Sequence, residues 1–344
     1  MVCRRFVFLV LGLLLCTTAF ARAANSKSSS SSSKAGDFGS SAADFPPGAF
    51  TDNGHYSLDE FKGKVVVLYF GCPVCPTNRA SVAGRNKVVE EFRDKPVRFL
   101  AITPAAMSEA RDYATATKLE MPCFADGMGV MQHRYGTNIS LKNIWQVRVI
   151  GPDGQVIGYE MTSAAIEKAV ANVKWKYKDD GYDPKLAGIV NALEWNQFVP
   201  AMTALKPLLK QKNKTGDSAR ALYEKVKSTE GTQWAADADA AASDDKVKAV
   251  ELYSRLAACF PDDALGKHAA DATKKLKSDK AVTSELAARQ RYAQLAGVMS
   301  KATPNQKPAV VNYCTSISQQ YPDTPTGKAA GKLAEELQAS SVAE

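Results

Sequence analysis

The sequence predicts an α/β sandwich built on one mixed sheet, followed by an all-α region. Three observations carry this reading. Residues 65–70 and 97–102 are apolar runs rich in β-branched residues, separated by the helix-length segment 76–92; runs of this kind are strands buried on both faces. A strand–turn–strand pattern follows at 145–150 and 155–160, around Pro152-Asp153-Gly154. Beyond Gly181 the strand signals stop, alanine becomes frequent and helical periodicity takes over.

Taken in order, residues 1–23 read as a signal peptide. Arg4 and Arg5 form a basic start, 6–16 is an apolar run too short to span a bilayer, and Ala21-Arg22-Ala23 is a small-residue cleavage motif. The mature chain is then expected to begin at Ala24 and to be exported, periplasmic or secreted. Cys16 invites lipid attachment, but Leu15 before it is bulky for that reaction. No later apolar run is long enough for a membrane span. Residues 24–43 are Ser-rich, with an unbroken Ser28 to Ser33, and read as a disordered linker that either tethers the protein to a surface or does nothing further.

The α/β part is expected over 44–177. Asn53-Gly54 is a hairpin signal, and Ser57 caps a helical turn at 58–61. Helices are expected at 76–92, 108–118 and 163–174, with a short one at 130–135 closed by Gly136. The order is β-α-β-α-β-β-α.

Residues 183–340 are expected to be all helical. Residues 249–276 contain Val-Glu-Leu-Tyr, then Phe260-Pro261-Asp262, then Gly266-Lys267; residues 309–337 contain Val-Val-Asn-Tyr, then Tyr321-Pro322-Asp323, then Gly327-Lys328. Each is a helix, an aromatic-Pro-Asp turn and a helix. This pattern resembles tetratricopeptide arrays with an incomplete consensus. Such hairpins either stack into a groove that docks a protein partner or form a bundle without a ligand.

The formal net charge is +8. Residues 1–43 hold five Lys/Arg and one acid, net +4; 44–177 hold 16 and 14, net +2; 178–344 hold 23 and 21, net +2. Half of the excess therefore lies in the leader and linker. The folded parts carry no basic stripe, so nucleic-acid binding is not indicated.

Removal of the leader leaves Cys72, Cys75, Cys123, Cys259 and Cys314, an odd number that leaves at least one thiol unpaired within the chain. Cys72-Pro73-Val74-Cys75 stands where a buried strand gives way to a helix. A helix start stabilises a thiolate, and a second thiol three residues away can resolve a mixed disulfide. A structural bridge or half of a zinc site would use the same spacing. No second Cys-x-x-Cys or paired histidines complete a zinc site. Cys123 reads as a small buried hydrophobe in a short strand-like stretch, His133 as solvated, and Cys259 and Cys314 as core residues or a bridge.

The stretch Phe61-Lys62-Gly63-Lys64 to Tyr69-Phe70-Gly71-Cys72-Pro73-Val74-Cys75-Pro76-Thr77-Asn78 resembles the thioredoxin-like superfamily. It is similar to exported redoxins of the TlpA/ResA type, with echoes of peroxiredoxins and Sco copper chaperones. The resemblance covers residues 44–175 and implies thiol–disulfide exchange with exported protein thiols or disulfides, without cofactor or metal. The chain departs from each relative. The cis-proline position of thioredoxins holds Trp145, which is expected to lie against the cysteine pair. The Thr and Arg of peroxiredoxins are replaced by Cys72 and Trp145. The copper-ligand histidine of Sco proteins falls at Asn143, and an amide is a poor copper ligand. A gapless alignment puts Cys75 at the nucleophile position and Asn78 at that of the usual second cysteine. Proline chemistry agrees, because Pro76 fits the first helical position and would break a helix begun at Cys72. Cys75 is therefore the expected nucleophile and Cys72 the resolving thiol. A non-enzymatic adaptor with a structural disulfide and a copper chaperone are the competing readings.

Overall fold

The computed structural model describes residues 36–340, apart from His55 and the side chain of Asp179. The predicted leader and residues 24–35 of the linker lie outside the described residues.

Seven consecutive buried residues make strand β1 (Val65–Gly71). A strand without a solvent face must have a neighbour on each side and cover on both surfaces. β1 sits at the centre of a five-stranded sheet of order β3-β2-β1-β4-β5. β2 (Val97–Thr103) runs parallel to it and β4 (Trp145–Ile150) antiparallel. The outer strands are β3 (Cys123–Ala125) and β5 (Val156–Gly158). The parallel β1–β2 pair requires a crossover, which α1 (Pro76–Glu91) supplies. The remaining helices of this part are α2 (Met107–Thr117), α3 (Val130–Tyr135) and α4 (Ser163–Val170).

Alternation along β1 divides the core in two. Val65, Val67 and Tyr69 pack with Phe92, Val147 and Ile166 on one face. Val66, Leu68 and Phe70 pack with Phe61, Met131 and Tyr135 on the other. This is a thioredoxin-like sheet with flanking helices, as the sequence predicts, followed by an all-helical region.

Several boundaries differ from expectation. The strand-like stretch at Cys123 is β3, which the predicted order leaves out because three residues are too few to show a period. β5 stops at Gly158, and α4 ends at Val170, leaving the Lys174 carbonyl to accept from Lys64 Nζ at 3.5 Å. Residues 36–43, assigned to the linker, are laid along the sheet edge: Gly39 N donates to Val156 O at 2.8 Å and Ala42 N to Gly154 O at 2.9 Å. An edge strand has unpaired backbone groups, and this segment satisfies them regardless of its small side chains. Asn53 does adopt the left-handed conformation, with φ 60°, but its turn joins no two strands. Phe50 bridges to Phe124 in β3 instead.

The helical region comprises α5 (Ala187–Glu194), α6 (Phe198–Leu205), α7 (Lys214–Val226), α8 (Thr232–Asp244), α9 (Lys246–Cys259), α10 (Ala264–Leu276), α11 (Lys280–Met299), α12 (Lys307–Gln320) and α13 (Pro325–Ala339). Both aromatic-Pro-Asp turns join helices of a hairpin, α9 to α10 and α12 to α13. Their glycines are there for close approach. A Cβ on Gly266 would lie 1.9 Å from Phe260 O, and one on Gly327 1.8 Å from Tyr321 O. Gly216 meets Gln211 O in the same way, at 2.0 Å, at the start of α7. This third tight turn lacks the aromatic-Pro-Asp signal, and for that reason the sequence shows only two.

The helices join the sheet at two seams. At one, Lys64 pairs with Glu194 at 3.1 Å with both side chains buried, and Trp195 packs edge-on against Phe61 and Trp175. Burial pushes the Glu194 carboxyl up, but bonds from the backbone N–H groups of Lys176, Tyr177 and Lys178 and from Lys64 outweigh it and hold Glu194 below the usual carboxylate range. At the other, Met128 and Val130 join a cluster with Leu295, Cys314 and Leu333. Arg134 makes two bonds to Glu336 there, at 2.7 and 3.0 Å.

Candidate functional site at the end of the central strand

β1 ends at Gly71 and α1 begins at Pro76, so Cys72 to Cys75 form the connection. Cys75 is the N-cap of α1, with extended backbone at φ −72° and ψ 121°, and Pro76 occupies the first helical position. Arg79 N donates to Cys75 O at 3.0 Å, which closes the first helical turn. The helix therefore starts where proline chemistry places it. Cys72 lies outside the helix, beyond β1.

Both cysteines are buried, at 4% and 6% relative exposure, in the cluster that includes Phe70, Met131, Tyr135 and Ile139. Val74 between them is 72% exposed. The connection thus turns an apolar side chain outward and both sulfur-bearing residues inward. The five cysteines among the described residues are all free thiols.

Asn78 is fully buried in the first turns of α1. Its Nδ2 donates to Cys72 O at 2.7 Å and to the Tyr113 hydroxyl at 3.1 Å, while its Oδ1 accepts from the Tyr69 hydroxyl. Burial pushes both tyrosines above their ordinary range, so both hydroxyls stay protonated. Arg79 Nη1 adds a bond to Pro73 O at 3.0 Å. Two carbonyls of the connection are thereby tied to α1.

The strand register places Trp145 opposite Gly71, the residue before Cys72. Its ring lies over the Arg85 guanidinium at 4.7 Å, which also covers Tyr69 at 4.2 Å. The residue opposite Cys72 is Ile144, whose carbonyl accepts from Cys72 N at 2.9 Å and whose side chain packs on the cysteine cluster. Counting back from the Gly154 turn reached the first residue of β4 but not the one facing the dithiol. No peptide among the described residues is cis. Asn143 holds its own turn, donating to Asn138 O at 2.8 Å and exchanging backbone bonds with Ser140. His133 is exposed near the end of α3.

The other thiols are placed differently. Cys123 is fully buried in β3, and burial pushes it up to about 12. Burial pushes Cys259 and Cys314 up to about 11. None stands at a helix start. Among the described residues there is no group of three or more His, Cys, Asp or Glu able to hold a metal, and no helix long and apolar enough to cross a membrane.

Sequence reasoning missed Asp126, Tyr113 and Arg85. Asp126 is buried and accepts from the backbone N–H groups of Met131 and Gln132, both at 3.0 Å; burial pushes its carboxyl up to about 7 against those bonds. An Asp-Gly before a helix reads as a turn, and only the fold shows the carboxylate to be enclosed. Tyr113 and Arg85 carry no local signal, because their partners come from other elements.

The family model described as AhpC/TSA matches residues 38–158. No curated protein matches the chain. Among solved structures, the thioredoxin domain of a thiol-disulfide oxidoreductase from Bacteroides vulgatus is 19% identical, with a TM-score of 0.35, over 39% of this chain and 98% of that one. A secreted Mycobacterium tuberculosis disulfide oxidoreductase is 20% identical, with a TM-score of 0.30, over 36% and 92%. A peroxidoxin from the same organism is 19% identical, with a TM-score of 0.33, over 40% and 95%.

Proposed function

We propose that this chain is an exported thiol–disulfide oxidoreductase that acts on protein thiols or disulfides through Cys75 and Cys72, with the helical region docking the partner. The carrying observation is the start of α1 at Cys75, three residues after a second cysteine in the same cluster. At the N-cap, a Cys75 thiolate is stabilised by the positive end of the helix dipole and by backbone N–H groups without helical partners. It attacks a substrate disulfide, releases one substrate thiolate and forms a mixed disulfide. Cys72 then attacks the Cys75 sulfur, the second substrate thiolate leaves, and the Cys72–Cys75 disulfide remains. The substrate gains the two electrons that the dithiol loses, and the reverse sequence oxidises a substrate dithiol.

Docking on the helices is supported by a cavity of about 650 Å³ at the first seam, lined by Lys64, Glu194, Trp234 and Arg255 among others. A TPR-like stack is the reading of the hairpins that carry glycines at matching turns. Export rests on the leader-like residues 1–23.

The low exposure of both cysteines favours one second reading, an adaptor whose disulfide is structural. Reduction of insulin by the full chain with dithiothreitol as electron donor separates the two. The oxidoreductase precipitates insulin well above the dithiothreitol background and cycles its cysteines between dithiol and disulfide. A pair that stays oxidised and gives no rate above background would support the adaptor.

A further inference from the structure

We propose that Asn78 is a positioning residue for the dithiol, holding the Cys72 carbonyl so that the loop thiol is kept in reach of Cys75. The inference rests on the oxidoreductase reading and assigns a role to a residue outside the reacting atoms. Cys72, Cys75 and Asn78 are spaced three apart, and the amide stands one helical turn beyond Cys75. A pair with both thiols in the first turn of a helix has its spacing set by the helix itself. Here one thiol has moved into the loop before the helix, where nothing in the helical ladder fixes it. A disulfide requires Cα atoms about 4.4–6.8 Å apart, so a free loop would lose effective concentration of the second thiol.

Asn78 supplies the missing constraint. Its bond to Cys72 O at 2.7 Å crosses from helix to loop, over Cys75. The amide cannot turn to release it, because Oδ1 accepts from the Tyr69 hydroxyl and the second N–H meets the Tyr113 hydroxyl at 3.1 Å. Tyr69 is held by the sheet and by the Arg85 guanidinium over its ring. Tyr69 of β1 and Tyr113 of α2 thus both bond the Asn78 amide of α1, which in turn holds the Cys72 carbonyl. Every bond is buried, so water does not replace a lost one cheaply. Only an amide meets the demand at this position, since two donors and an acceptor are required together.

The test is the equilibrium constant of the Cys72–Cys75 disulfide against glutathione, measured on the full chain. Asn78→Ala is expected to lower it about tenfold, near 30 mV. Val82→Ala removes packing from the same buried face of α1 without touching the loop and is expected to leave the constant within about twofold. Tyr69→Phe keeps the ring, removes the hydroxyl that orients the amide, and is expected to lower the constant about threefold; it reads the same constraint if Asn78→Ala does not fold. An unchanged constant in Asn78→Ala or Tyr69→Phe, or an equal fall in Val82→Ala, would overturn the assignment. Failure of the wild-type chain to form the disulfide at all would instead bring down the oxidoreductase reading, and this inference with it.

Discussion

The end of β1 and the helical region both bury cysteines, but they bury them in different company. Cys72 and Cys75 sit at a strand-to-helix connection tied by polar bonds to α1. Cys259 and Cys314 sit inside packed helices among apolar side chains. Both settings exclude water, so burial alone does not mark a reactive thiol. The mark is a helix start at one sulfur and a second sulfur held three residues before it. In the helical region the same residue type is a small hydrophobe whose thiol burial pushes up to about 11. Substitutions at the strand end should therefore change chemistry, and substitutions among the helices should change stability.

Cys75→Ser breaks the comparison most severely if it is wrong. It is expected to reduce the insulin-reduction rate roughly ten-thousandfold, to background, while urea unfolding stays close to wild type. Next comes the seam that joins the two regions. Glu194→Ala leaves Lys64 buried without its partner and is expected to cost about 3–5 kcal/mol, read by urea unfolding. The sign of its pH dependence follows from the lowered carboxyl. The stabilising contribution of Glu194 is complete above the unfolded value of about 4.3 and is lost as pH falls through the lower, folded value. Glu194→Gln should accordingly flatten the acid limb of the stability profile and leave the insulin-reduction rate at neutral pH unchanged.

Much of this was legible in the sequence. The buried run 65–70, the Pro152-Asp153-Gly154 turn and the aromatic-Pro-Asp turns each carry their structure in a few adjacent residues. Pro76 fixed the helix start by its own chemistry. What stayed hidden depends on partners distant in the chain. Residues 36–43 look like linker, because their order comes from the exposed edge of β5 rather than from their own side chains. Trp145 was placed by counting, and the pleat then put Ile144 against Cys72. Asn78 was visible as a departure from the usual pair, but its function needed Tyr69 and Tyr113 from β1 and α2.

Smaller effects sharpen the same contrast. Gly327→Ala drives a Cβ into the Tyr321 carbonyl and is expected to cost about 2–3 kcal/mol. Gly297→Ala, in open space within α11, should instead raise stability by about 0.5–1 kcal/mol. Both should leave the insulin rate unchanged, and thermal unfolding reads the difference. Smallest of all, Cys123→Ala should cost about 1 kcal/mol through lost packing and leave the rate at wild-type level. A rate that fell with Cys123 would give that thiol a part in the chemistry and erase the distinction drawn from its setting.

The central claim is that Cys75 attacks and Cys72 resolves, and substrate trapping tests it most directly. Each single Cys→Ser variant of the full chain is incubated with oxidised protein substrate, quenched in acid and examined for covalent adducts by mass spectrometry. Cys72→Ser should accumulate a mixed disulfide through Cys75, because nothing remains to release it, and Cys75→Ser should accumulate none. Adducts on Cys75→Ser alone would contradict the assignment.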